Sequence, residues 1–139
     1  MHCPDDANQL TLRETERYAG YVCDECRGVW LTLRHFHAID YARNFSYEEF
    51  ARALAGSPKV FTSLHCPSGC GKLVQANWLE EPLCWCPSCQ GVWFNLRSIH
   101  ALRRRRVPQS EPAGFIDAAP LIGEAGTWGL LAILSWLSC

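Results

Sequence analysis

The alternation and spacing of apolar positions divide the chain into short elements. Leu10 to Thr15 and Arg17 to Val22 read as two short strands around a turn. Trp30 reads as a core residue of a small domain, and Thr32 is placed to cap a helix running through Ile39 or beyond. Ser46-Tyr47-Glu48-Glu49 has the form of a capping box and opens a helix to Ala55, with Phe50 and Leu54 four apart on its apolar face. Gly56-Ser57-Pro58 interrupts the pattern as a linker. Val60 to Leu64 predicts a further strand, and Leu73 to Trp78 with Leu83 to Trp85 predict a hairpin. Asn95 caps a helix that continues through Leu102 into a run of arginines. Pro108 to Pro112 is a polar break, and Gly126 to Cys139 carries no charge.

These elements occur twice. His2-Cys3-Pro4 returns as His65-Cys66-Pro67, Cys23 and Cys26 as Cys86 and Cys89, and Gly28-Val29-Trp30 as Gly91-Val92-Trp93. Leu33-Arg34 and His37-Ala38 return as Leu96-Arg97 and His100-Ala101. Every pair is separated by 63 residues, so no insertion interrupts the correspondence. An internal duplication sets the architecture. The expected organisation is a first module over residues 1–56 that includes a helical insert, a second over 57–107, and a linker with an apolar segment over 108–139.

The repeated cysteines carry the chemistry. Cys66 and Cys70 form one close pair and Cys86 and Cys89 another, each on a turn with Pro and Ser, with a hairpin between them. Two such pairs predict a four-thiolate Zn²⁺ site, because the ion has no directional d-electron preference and accepts a tetrahedron of sulfurs. The first copy keeps Cys3, Cys23 and Cys26, but Ala7 stands where Cys70 would be. Asp6, three residues after Cys3, offers a carboxylate oxygen as fourth ligand. The rivals are His35, which Ser98 replaces in the second copy, and His37, which His100 repeats beside a site already holding four cysteines; the remaining alternative is a first site that holds no metal. Cys84 lies outside the knuckles and reads as a spare thiol.

Composition narrows the setting. Two small ribbons cannot bury enough apolar surface in 139 residues to fold without help, so metal is expected to supply stability. Nine cysteines in a secreted chain would suggest disulfides. The opening Met-His-Cys-Pro-Asp-Asp lacks a basic start and an apolar run, so a reducing, cytoplasmic setting is expected. The net charge of −1 provides no global attraction for nucleic acid. Locally, residues 64–107 hold six basic and two acidic side chains, mostly through Arg97, Arg103, Arg104, Arg105 and Arg106. Such a run can contact phosphate, or can serve only as a solvated helix end suited to the C-terminal dipole. The uncharged residues 126–139 are too few for a spanning helix and predict an apolar C-terminal helix on a membrane surface or a protein surface, or a truncated span.

The segment Cys86-Pro87-Ser88-Cys89-Gln90-Gly91-Val92-Trp93-Phe94-Asn95 resembles the second half of prokaryotic zinc ribbons of the transcription factor IIB type. Cys23 to Thr32 is similar, with Asp24 in place of the proline. The resemblance covers roughly residues 2–39 and 65–102. It implies zinc binding and a ribbon fold, and it leaves activity open.

The expectation is therefore a small α+β protein of tandem zinc ribbons, each followed by a helix. The expected role is non-enzymatic: a binding module for a protein or nucleic-acid partner, with a link to transcription suggested by the resemblance. The alternatives are a thiol redox or metal-handling protein, or the cytoplasmic zinc-binding head of a membrane-associated protein.

Overall fold

A computed structural model describes residues 1–14, 19–43 and 46–104. Residues 15–18, 44–45 and 105–139, including Arg105, Arg106 and the expected apolar helix, lie outside the described residues.

The first repeat supplies strands β1 (Thr11–Glu14), β2 (Ala19–Val22) and β3 (Val29–Leu31), then helix α1 (Leu33–Arg43). An inserted helix α2 (Tyr47–Gly56) and strand β4 (Val60–His65) lead to the second repeat. That repeat consists of β5 (Lys72–Trp78), β6 (Glu81–Trp85), β7 (Val92–Phe94) and α3 (Leu96–Arg104). Ser46 and Asn95 cap their helices as their chemistry predicts. The Ser46 hydroxyl accepts from the Glu49 amide at 3.2 Å, and Asn95 Oδ1 accepts from the Ser98 amide at 2.7 Å. At the start of α1 the His35 Nδ1 accepts from the Thr32 amide at 3.2 Å. Each bond satisfies an amide that would otherwise lack a partner near a helix start.

The repeats share one seven-stranded antiparallel sheet in the order β1-β2-β3-β7-β6-β5-β4. The join is the pairing of β3 with β7, where Val29 faces Phe94, Trp30 faces Trp93 and Leu31 faces Val92. Trp30 and Trp93 are equivalent positions of the two copies. The seam is thus a pseudo-two-fold axis passing between two copies of one motif. The His2–Gln9 bridge and the His65–Lys72 pair are likewise equivalent.

Strand alternation sorts the side chains of the seam to the two faces of the sheet. Val29, Leu31, Val92 and Phe94 join the core beneath the helices, with Phe36, Phe50, Leu54, Ile99 and Leu102. The inserted helix belongs to that core: Phe50 stands edge-on to Trp78 with ring centroids 4.9 Å apart. Trp30 and Trp93 turn to the opposite face, among Cys3, Cys23, Cys66 and Cys86. One face of the sheet therefore carries the helices and the other carries the cysteine clusters.

Across the seam the two Gly-Val-Trp motifs interlock. A Cβ built on Gly28 would lie 2.2 Å from Trp93 Cζ2, and one on Gly91 would lie 2.3 Å from Trp30 Cζ2. Each indole lies against the glycine of the other copy, an approach that only a residue without a side chain permits.

Candidate metal centres

Each site is built from two loops projecting from the cysteine-bearing face. The second loop of each copy closes in the same way. The Cys23 amide donates to Gly28 O at 3.0 Å and the Arg27 amide to Cys23 O at 2.9 Å. Cys86, Gly91 and Gln90 repeat these bonds at 2.9 and 2.8 Å. Arg27 and Gln90 both take a left-handed conformation, at φ 59°. The first loops also have equal length, since the Cys3 amide reaches Asn8 O at 2.7 Å and the Cys66 amide reaches Gly71 O at 2.8 Å.

What differs is the position of the fourth side chain within these equal loops. Cys66, Cys70, Cys86 and Cys89 place their sulfurs within 4.8 Å of one another. In the first copy Cys3, Cys23, Cys26 and a carboxylate oxygen of Asp6 do the same. The carboxylate, longer than a thiol, reaches inward from one position earlier than Cys70 does. His35 is not part of this cluster: its ring lies 5.6 Å from Tyr21 and its Nδ1 is engaged at the start of α1. His37 packs against Tyr47, at 5.7 Å between centroids.

The donor sets fit zinc. A tetrahedron with Zn–S bonds of about 2.3 Å has sulfur–sulfur edges of roughly 3.8 Å. The Cys66 and Cys89 sulfurs are 3.6 Å apart, and those of Cys3 and Cys26 are 3.5 Å apart. Cys23 Sγ lies 3.2 Å from Asp6 Oδ2, against roughly 3.5 Å expected for a mixed edge with a shorter Zn–O bond. When bound, the ion would accept all four donors of each set, leaving no protein-provided open position.

Without a cation the thiols resist ionisation. Burial pushes Cys26 up to about 11, and also raises Cys3, Cys66 and Cys89. Cys86 differs: burial raises it, but the amides of Cys89 and Ser88 oppose this and the net shift is downward. Asp6 is held down at about 2, first by the Cys3 thiol and then by the Asn8 amide, which donates to Oδ1 at 3.0 Å. A group of close thiolates needs a nearby cation, and a dication satisfies that need directly.

Two supporting residues are not evident from ligand spacing. Tyr47 of α2, 6 % exposed, donates its hydroxyl proton towards Gln90 Oε1 at 3.1 Å. The inserted helix thus braces the second knuckle. Asp5 accepts from Trp93 Nε1 at 3.0 Å, joining the first loop of copy one to the core of copy two. Cys84 is half-buried on β6 and outside both clusters, with its thiol pushed up to about 11 by burial.

Residues 2–39 match the protein family described as transcription factor zinc-finger, of the transcription factor IIB ribbon type. The match falls on the copy that carries Asp6. No curated protein and no solved structure matches the chain. The family match and the two four-ligand clusters together identify a zinc-binding protein with a ribbon fold.

Proposed function

We propose that the chain is a non-enzymatic zinc-ribbon protein, in which two metal sites stabilise one sheet that serves as a docking unit for a macromolecular partner. The observation that carries this reading is the closure of both donor sets. A catalytic zinc keeps a position for water or substrate, whereas a full tetrahedron of protein ligands is structural. The same closure argues against thiol redox chemistry, because the paired cysteines belong to the two donor sets and the first cysteine of each Cys-x-x-Cys pair, Cys23 and Cys86, is buried.

The partner is a protein or a nucleic acid, with transcription as the setting that the family match favours. Arg97, His100 and Arg104 are exposed along one side of α3 and support phosphate contact. Arg103, Arg105 and Arg106 adjoin these residues in sequence and add to the local basic charge. A cytoplasmic location follows from the need to keep these thiols reduced. Among the described residues no helix is long and apolar enough to cross a membrane. Residues 126–139, outside the described residues, are the segment we propose for association with a membrane surface.

The test is an affinity capture with the intact chain purified from zinc-supplied cells, with its native mass measured in parallel. The reading predicts bound zinc and a stoichiometric macromolecular partner. A metal-free chain that turns over a disulfide substrate would overturn it in favour of the redox alternative.

A further inference from the structure

The pseudo-two-fold seam is not symmetric in its polar contacts. Trp93 reaches over Gly28, two residues beyond the ligand Cys26, and its Nε1 donates to Asp5 at 3.0 Å. It therefore touches both loops of site one while standing on β7 of the other repeat. Trp30 makes the equivalent approach to Gly91 of site two, but its buried Nε1 has no hydrogen-bond partner among the described residues. The residue equivalent to Asp5 is Ser68, in the first loop of site two.

Asp5 lies between the ligands Cys3 and Asp6 in the first loop of site one, and the Trp93 bond to its side chain ties down the loop that carries both ligands. Groups that orient metal ligands from outside the coordination sphere commonly change metal affinity by about 10- to 100-fold when removed.

We propose that Trp93 of the second repeat is a positioning residue for the metal site of the first, acting through Asp5, so that site one reaches full affinity only when the second repeat is folded. The dependence runs in one direction, because Trp30 has no equivalent bond to give. Site one also has the harder donor set, with an oxygen replacing one sulfur. The four-thiolate site would load first and complete the framework that site one needs. This inference rests on the zinc reading above.

The test uses the full chain loaded with two zinc ions and titrated with a competing chelator, with the two-, one- and zero-ion species counted by native mass spectrometry. Parallel Co²⁺ loading assigns each step, since thiolate-to-cobalt absorption is stronger for four sulfurs than for three. Trp93→Phe and Asp5→Ala are expected to lose the site-one ion at roughly tenfold lower chelator, with the site-two step unmoved. Asp5→Asn keeps an acceptor oxygen and is expected to restore most of the affinity. Trp30→Phe is expected to leave both steps in place. Asp5 is exposed, so Asp5→Ala gives a readable result even where Trp93→Phe disturbs folding. An Asp5→Ala chain that loses its site-one ion at the wild-type chelator concentration overturns the inference while leaving the zinc reading intact. Equal weakening of both steps in Asp5→Ala also overturns it. A wild-type chain that takes up no metal overturns both.

Discussion

Gly28→Ala tests the interlocked seam at its tightest point. The added methyl would stand 2.2, 2.5 and 3.0 Å from three carbons of the Trp93 ring system. That ring is 1 % exposed, so it cannot swing into solvent. Gly28 has no left-handed conformation to protect, and replacing such a glycine by alanine ordinarily stabilises a protein by about 0.4–1 kcal/mol through the unfolded chain. Here the sign reverses. Forcing a methyl into a packed core costs about 1–3 kcal/mol, and more if β3 and β7 must separate. Gly56→Ala is the control, because its Cβ would meet nothing within 4 Å at the end of α2. It is expected to be neutral or stabilising by up to about 1 kcal/mol. The assay is guanidinium unfolding at one fixed excess of zinc, since bound metal contributes to apparent stability. Trp93→Phe removes the outer ring carbons that clash, so the double variant is expected to regain at least about 1 kcal/mol over additivity. A Gly28→Ala protein as stable as the wild type, with unchanged dispersion in its NMR spectrum, would refute the reciprocal packing.

Three further outcomes follow from the sites and caps. Cys89→Ser removes a thiolate from site two and is expected to unfold the second repeat, seen as collapse of its NMR dispersion; retained dispersion would show that the metal is dispensable there. Asn95→Ala removes the bond to the Ser98 amide and is expected to cost about 0.5–2 kcal/mol by chemical denaturation, with both zinc ions retained. If the basic end of α3 binds nucleic acid, the affinity measured by fluorescence anisotropy should fall with salt at a log–log slope of about −3 to −4 for roughly four phosphates. Alanine at Arg103, Arg104, Arg105 and Arg106 should then abolish binding, whereas a wild-type chain that binds nothing at low salt leaves these arginines as a solvated helix end.

The second hairpin and both knuckles were legible because turn chemistry and cysteine spacing act locally. The predicted strand Leu73–Trp78 begins one residue earlier, at Lys72, and Leu83–Trp85 extends back to Glu81. The β-pairing between the repeats was not legible. Strands β3 and β7 are three residues each and buried throughout, too short to display an alternation that distinguishes them from a loop. Trp30 reads in sequence as the core of its own small domain, yet its ring lies against Gly91 of the other repeat. The available signal was the recurrence of Gly two residues before Trp, a small position matched to a large one across a two-fold. At site one, spacing left Asp6, His35 and an empty site as alternatives. Geometry brings in Asp6, three residues after Cys3 as Cys89 is after Cys86, and directs His35 to the start of α1.

The central claim is that the chain holds two zinc ions in different donor sets, seven sulfurs and one carboxylate oxygen in all. Zinc-edge X-ray absorption on the full chain, paired with its native mass, reads both the number and the kind of ligand. Two ions per chain are predicted, with a dominant sulfur shell near about 2.3 Å and a minor oxygen contribution near about 2.0 Å that disappears in Asp6→Cys. A single ion with sulfur ligands alone, or an oxygen shell that Asp6→Cys leaves unchanged, would contradict it.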